Sequence, residues 1–428
     1  MTERISKKSF IKQSLGTLAL RIFGVLLLFG FTIFLTKSYS PKLVGQYDFV
    51  RSYLLAVGSI CLLGFDQSIL YFKGKLASQK EVRQLKMVYL KMVRMLFLTS
   101  ILILAVFFII DKKTINSYFL DDEVYSILLK SSVILFFHGL SLLNTEVFRA
   151  LDKLYVAELF RNIIKYIPLI IGSVVLFYLH LEAYLVDVFL IGFIFLALIS
   201  SVLVFIYFNK KETVPEEIFT SKEIFTKSYP IAISGMAMFL LMSFDIMFLK
   251  KYQNDETVAF YSVGVKIMTI VSVIILTINI TVSAKIAEYF SNQNWIELKK
   301  TLQSSARLIF CISFPVIILI SVFSNYVLSL FGHQYIIAQK SFLILIIGQG
   351  ICSLFGSAPV YLNMTGRQHI FQVILIGAVI INFILNRFLI PIYGMTGAAA
   401  AFFCSSFFWN CVSAVVIYKK DKIKIFLH

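Results

Sequence analysis

Twelve apolar runs, each long enough to cross a lipid bilayer, leave this 428-residue chain few folds to choose from. They lie at roughly 13–36, 46–65, 88–110, 124–147, 156–179, 184–208, 225–249, 257–283, 302–324, 340–363, 370–390 and 394–418. A membrane helix needs about 20 mostly apolar residues to span the hydrocarbon core. In lipid each backbone N–H and C=O must find its partner inside the protein, so a lone run of this length is a helix. Hydrophobic residues make up 59% of the chain and charged ones only 15%, outside the range of a soluble domain. The expected fold class is all-α: a polytopic membrane protein of twelve transmembrane helices.

The charges that remain report topology. Lys73, Lys75, Lys80, Arg83, Lys86, Lys91 and Arg94 follow the second run, and Lys210, Lys211, Lys299, Lys300 and Lys419 to Lys424 fall on the same side of the alternating spans. The opposite loops carry Asp111, Asp121, Asp122, Glu123, Glu182, Asp255 and Glu256. Basic loops stay in the cytoplasm, so both termini are expected there. The net charge of +17 is accounted for by these loops, and no nucleic-acid partner is needed. The basic segment after the second run either anchors topology or lies on anionic membrane lipids as an interfacial helix. Arg4, Lys7, Lys8 and Lys12 precede a first run that is too long for a signal peptide and lacks a small-x-small cleavage site, so it reads as a retained span. Cys61, Cys311, Cys352, Cys404 and Cys411 all fall in apolar runs without ligand spacing, which implies no metal site and no disulfide.

The composition shifts once, between Asn209 and Lys227, where Lys210-Lys211-Glu212 and Pro215-Glu216-Glu217 precede a Thr220-x-x-Glu223 capping box. Six spans lie on each side of it, giving an N-terminal lobe of residues 1–208, a cytoplasmic linker at 209–224 and a C-terminal lobe of 225–428. A short repeat supports two related halves. At a shift of 214 residues, Ile33-Phe34-Leu35 falls on Met247-Phe248-Leu249, and Val44-Gly45-Gln46-Tyr47 on Val258-Ala259-Phe260-Tyr261. Six spans is an even number, so both halves enter the membrane the same way round, as parallel repeats do. Pro168 is expected to bend span five, and Pro230 and Pro315 mark possible hinges in spans seven and nine. The small-residue run Gly394-x-x-Gly397-Ala398-Ala399-Ala400-Ala401 suits close helix packing.

Charges inside spans are costly and usually face protein or a watery cavity. Arg21, Arg51, Lys266 and Arg387 are the interior bases that could line such a cavity. For Arg51 and Arg387 snorkelling to the headgroups is an equal alternative, whereas Arg21 and Lys266 are expected to face inward. A cationic cavity suits an anionic cargo, because guanidinium pairs with phosphate through two parallel hydrogen bonds. Asn144, Asn279, Gln349 and Asn382, with Asn162, Asn386 and Asn410, either receive sugar hydroxyls or bond neighbouring helices. Asp245 is either a counter-ion to Lys266 or Arg51, or a group that couples transport to Na+ or H+. Glu146, Arg149, Asp152, Lys153 and Glu158 form a short charged turn between spans four and five, with Arg161 and Lys165 following it. His138 reads as a packed histidine. There is no Gly-x-Ser-x-Gly, His-Glu-x-x-His or phosphate loop and no soluble catalytic domain, so no enzyme and no cofactor are expected.

In order along the chain, Pro41-x-x-x-Gly45-x-Tyr47, Leu63-Gly64-Phe65 with Ser68, Pro230, Asp245-Ile246-Met247-Phe248-Leu249, Val258-Ala259-Phe260-Tyr261-Ser262, Leu330-Phe331-Gly332-x-x-Tyr335-x-x-Ala338 and Gly394-x-x-Gly397-Ala398-Ala399 carry a resemblance. Over nearly its whole length the chain resembles the polysaccharide-transport (Wzx, O-antigen flippase-like) branch of the multidrug/oligosaccharidyl-lipid/polysaccharide (MOP) exporter superfamily. Ala259 stands where the family often has Gly. The resemblance implies a MATE-like arrangement of two six-helix lobes around a cationic lumen, in a bacterial inner membrane. It also implies a flippase that moves undecaprenyl-diphosphate-linked oligosaccharide repeat units, of O-antigen or capsule type, by alternating access. Glycan polymerase and chain-length proteins are its implied partners. Arg21, Arg51 and Lys266 match places where related lipid II flippases, which have extra spans, keep lumen bases. The alternatives are an ion-coupled drug or metabolite antiporter of the same superfamily, disfavoured because bases outnumber acids in the spans, and a membrane glycan polymerase or scaffold.

Overall fold

A computed structural model describes residues 2–76, 81–209 and 219–425, and every regular element among them is helical. In the first half these are α1 (Thr2–Ser38), α2 (Pro41–Leu62), α3 (Phe65–Lys75), α4 (Glu81–Ile109), α5 (Lys112–Phe119), α6 (Val124–Ala150), α7 (Leu154–Asn162), α8 (Ile167–Tyr178) and α9 (Leu185–Asn209). The second half holds α10 (Ser221–Tyr252), α11 (Asp255–Ser291), α12 (Trp295–Val322), α13 (Ser324–Ser329), α14 (Gln339–Ser353), α15 (Ala358–Met364), α16 (Gln368–Tyr393) and α17 (Met395–Asp421). Among the described residues twelve helical stretches are long and apolar enough to span a membrane, and each expected run maps onto one of them. Their outward faces carry exposed Leu102, Phe108, Leu198, Ile318 and Phe388, a surface that only a hydrocarbon solvent tolerates.

The chain forms two compact units, one of Met1–Phe31 with Val50–Phe239 and the other of Thr32–Phe49 with Leu240–His428. The expected division at 209–224 is therefore not where the units part: the chain changes unit inside α1, α2 and α10. Residues 210–218, the core of the expected linker, lie outside the described residues, as does Lys80 of the basic segment. The capping box that follows is formed: Glu223 N–H donates to Thr220 Oγ1 (3.2 Å), and Thr220 N–H to Glu223 Oε2 (2.7 Å). It starts α10 at Ser221.

The tip of the α1–α2 hairpin belongs to the second unit for a local reason. A Cβ placed on Gly45 would lie 1.8 Å from the Asp255 carbonyl oxygen, so only glycine lets α2 sit against the start of α11. The two hairpins repeat at the shift read from the sequence: α1 ends at Ser38 and α2 begins at Pro41, while α10 ends at Tyr252 and α11 begins at Asp255. The loop motif after α13 is a packing device. Gly332 takes φ +127°, and the Tyr335 ring, fully buried, meets Phe260 of α11 edge-on at 5.1 Å. Gly397 serves the α16–α17 turn, where a Cβ would come within 2.4 Å of the Leu389 carbonyl oxygen.

Three spans are interrupted. Span five breaks as Pro168 predicts: α7 stops at Asn162, a 3₁₀ turn covers Ile164–Tyr166, and Pro168 is the second residue of α8. Span two breaks at Leu63 and Gly64, both at positive φ, where Gly64 abuts Ala232. Span ten breaks before Ser357, with Gly356 at φ +56° against Ala306. By contrast, α10 and α12 run through Pro230 and Pro315 without a break. A membrane helix absorbs the one lost backbone bond when its neighbours supply a polar contact.

Candidate functional site

In the second unit the buried charged side chains are Asp48, Asp245, Lys250, Asp255 and Lys266. Four of them form two pairs. Lys266 Nζ lies 2.7 Å from Asp48 Oδ1 and 2.9 Å from Oδ2, with 4% and none of the two side chains exposed, and it sits 5.5 Å from the centre of the Tyr47 ring. Lys250 Nζ lies 2.6 Å from Asp255 Oδ1 across the α10–α11 turn. Lys266, expected to line a cavity, is instead buried with its charge already met. Its partner is Asp48, one residue after the Pro41-x-x-x-Gly45-x-Tyr47 motif, and not Asp245. The opposite charges on α2 and α11 were the available signal.

Asp245 is the fifth charge, and among the described residues no base pairs with it. It is 2% exposed. Tyr261 Oη donates to its Oδ2 at 2.9 Å, and the Nδ2 atoms of Asn386 and Asn382 donate to its Oδ1 at 2.7 and 3.2 Å. Asn382 and Asn386 stand one turn apart on α16, joined by a 3.0 Å bond, and Asn382 also reaches Ser405 Oγ of α17 at 3.3 Å. Asn386 Oδ1 is buried without a hydrogen-bond partner. A buried carboxylate held only by neutral donors carries a large desolvation cost, which a proton or a small cation removes. The oxygens of Asp245, Asn382, Asn386 and Ser405 are the hard donors a monovalent cation takes. Among the described residues no three His, Cys, Asp or Glu side chains gather as a metal site would need. Of the two uses open to Asn382, it takes the bond to neighbouring helices, through Asp245 of α10 and Ser405 of α17.

The first unit clusters its bases. Arg21 of α1 grips Glu158 of α7 with two bonds, Nε to Oε2 at 2.9 Å and Nη2 to Oε1 at 2.5 Å. Asn162 Nδ2 donates to the same Oε2 at 2.9 Å. Arg149 Nη1 of α6 donates to Glu146 Oε2 at 2.9 Å, and Arg161 of α7 pairs with the other oxygen of Glu146. Arg51 is half-buried on α2. Asn144 is not open to a ligand: it accepts from Tyr89 Oη and donates to Ser200 and Ser201, tying α6 to α4 and α9. His138 is buried with Nδ1 unpartnered, edge-on to Phe193, and lines a small cavity with Ser59, Asp66 and Gln67.

The remaining candidates are dispersed in the second unit. Arg387 is exposed on α16 beside exposed Phe383, Ile384 and Phe388, within two turns of the helix end at Tyr393. That surroundings and reach fit snorkelling. Asn279 accepts from Ser357 Oγ at 2.7 Å and so pins α11 to the break in span ten. Gln349 is half-buried on α14 between Gly348 and Gly350. Asn410 donates to the Ser406 carbonyl within α17. The two groupings that do form are thus Asp245 with its amides and the arginine cluster around Glu146 and Glu158.

Two family models match the chain: one described as polysaccharide biosynthesis protein, over residues 8–284, and MatE, over residues 230–388. No curated protein sequence matches it. Solved structures share its fold. A lipid II flippase MurJ in an inward closed conformation has a TM-score of 0.73 at 13% identity, covering 95% of this chain and 87% of that one. An inward-facing multidrug resistance MATE transporter of the MOP superfamily has a TM-score of 0.69 at 14% identity, with 96% and 98% covered. A MOP superfamily transporter from Pyrococcus furiosus, described by the reverse polarity of its binding pocket, has a TM-score of 0.65 at 14% identity, with 98% and 96% covered. With the polysaccharide biosynthesis model spanning more than half of its length, the chain belongs to that family, and its twelve long apolar helices make it a multi-pass membrane protein.

Proposed function

We propose that the protein flips a lipid-diphosphate-linked oligosaccharide across a bacterial inner membrane by alternating access, with both termini in the cytoplasm. The arginine cluster of the first unit carries this reading. Arg21, Arg149 and Arg161 remain partly exposed, at 23%, 33% and 35% of their side chains. Guanidiniums held within reach of solvent inside a membrane protein suit a cargo that brings phosphate. The polysaccharide family match supports a glycan on that cargo; O-antigen or capsule repeat units linked to undecaprenyl diphosphate are the expected class. In cells, deleting the gene should leave lipid-linked saccharide inaccessible to a periplasmic glycosidase added to spheroplasts. Equal accessibility with and without the protein contradicts the reading.

The same reading makes Asp245 the coupling group. Its carboxylate is stable when neutralised by H+, or by Na+ held among Asp245, Asn382, Asn386 and Ser405, so loading and release of that ion bias one conformation over another. A second reading, a cation-exporting antiporter, draws on the MatE match over residues 230–388, which includes Asp245. It calls for acids facing the cargo, whereas the described partly exposed cluster is basic.

A further inference from the structure

We propose that Arg21, Arg149 and Arg161 form a phosphate-binding site whose place is held, when no cargo is bound, by the carboxylates of Glu146 and Glu158. The inference rests on the flippase reading for its biological source of phosphate, and on geometry for the site itself.

Three helices supply the guanidiniums: α1, α6 and α7. Arg149 and Arg161 share the single carboxylate of Glu146, one on each oxygen, while Arg21 forms a two-bond fork on Glu158. A carboxylate clasped between forks occupies the position that two oxygens of a phosphoryl group take. The clusters act on each other, since Arg21 is near enough to be felt electrostatically at both Arg149 and Arg161, as Glu158 is at Arg149 and Asp66 at Arg161. Three guanidiniums face two clasped carboxylates, with Asp66 at the side and Lys165 exposed one turn beyond Arg161. A doubly charged phosphate brings the three guanidiniums the charge of both carboxylates on one compact group.

Depth supports the order of events. Glu158 and Glu146 are 4% and 12% exposed, beneath guanidiniums exposed by 23–35%, so an arriving anion meets the bases first. The exchange leaves the displaced carboxylates to neutral donors or to a proton. Asn162 already bonds Glu158 Oε2 and keeps it when Arg21 turns away. Nor is α7 a rigid part of span five: it ends at Asn162, ahead of the 3₁₀ turn that separates it from α8. Arg161 and Glu158 can therefore shift together without moving the rest of the span. The cost of uncovering the two carboxylates offsets part of the gain from phosphate, which keeps the site able to load and unload.

The ligand chemistry is a phosphoryl or pyrophosphoryl group, supplied either by the cargo's diphosphate or by a phospholipid headgroup. The full-length protein in phosphatidylcholine nanodiscs, probed with undecaprenyl diphosphate and with phosphatidylglycerol, separates the two. Glu146→Gln should tighten undecaprenyl diphosphate binding about tenfold by removing the internal competitor, and Arg149→Ala with Arg161→Ala should weaken it by at least about tenfold. Arg161→Lys, which keeps the charge but not the fork, should fall between. In the wild type, bound probe should also change hydrogen exchange across residues 154–162. Phosphatidylglycerol binding that responds to the same variants, with no preference for the diphosphate, assigns the site to lipid headgroups and still supports it. Unchanged affinity in both the Glu146 and the arginine variants, with no exchange change in α7, overturns it. A site that binds diphosphate in a protein that moves no lipid-linked saccharide would leave this proposal standing and sink the flippase reading.

Discussion

A lysine almost wholly removed from water survives in an apolar interior only with its charge met, and Lys266 meets Asp48 with both carboxylate oxygens. Substituting one member leaves the other charged and buried. Lys266→Met should therefore destabilise the protein by about 3–5 kcal/mol, and the double variant with Asp48→Leu should recover most of that loss. Thermal unfolding of the purified protein in detergent checks this; a single variant as stable as wild type would show the pair to be solvated. Asp245 behaves in the opposite sense. With only neutral donors around it, Asp245→Asn removes a buried charge, so stability should hold or rise while Na+ or H+ dependence of transport disappears. At this scale the sequence was partly legible. The in-span bases could be found because they are rare, but their partners could not, because pairing is a matter of which helices meet. The choice between sugar and helix partners for Asn382 and Asn386 stayed open for the same reason: spacing put them on one face of α16 without saying that Asp245 lay opposite.

Among the elements, the hairpins hold the most information. The turns of α1–α2 and α10–α11 fall at the same offset as the short apolar repeat, so a weak similarity of seven positions marked a real structural correspondence. Gly45 is where that correspondence becomes a constraint. Gly45→Ala puts a methyl onto the Asp255 carbonyl and should sharply reduce the yield of monodisperse protein, whereas Ala259→Gly at the related position should cost only about 1 kcal/mol in helix propensity. Size-exclusion profiles of the two variants distinguish these outcomes. Hydropathy located all twelve spans because each averages over about 20 residues. The same averaging hid the breaks at Gly64 and Gly356, which turn on one positive φ each. Pro168 was readable in advance since proline announces itself; Pro230 and Pro315 show that the announcement is not always acted upon.

At the scale of the whole molecule, composition alone set the class, and the family followed from motifs strung over the full length. The boundary between units was not legible. A polar linker is conspicuous in sequence, but units are made by packing, and the α1–α2 tip packs through Gly45 and Asp48 onto helices two hundred residues later. The positive-inside pattern predicts where the termini lie, and a cysteine introduced after Lys420 should be labelled by membrane-impermeant maleimide only once the membrane is opened. In proteoliposomes loaded with a fluorescent undecaprenyl-diphosphate-linked oligosaccharide, an added impermeant quencher reads the leaflet in which the label sits. Purified protein should let the quenched fraction rise beyond the half set by the outer leaflet, more slowly in Arg149→Ala with Arg161→Ala and without ion dependence in Asp245→Asn; a quenched fraction identical to that of protein-free vesicles would contradict the account.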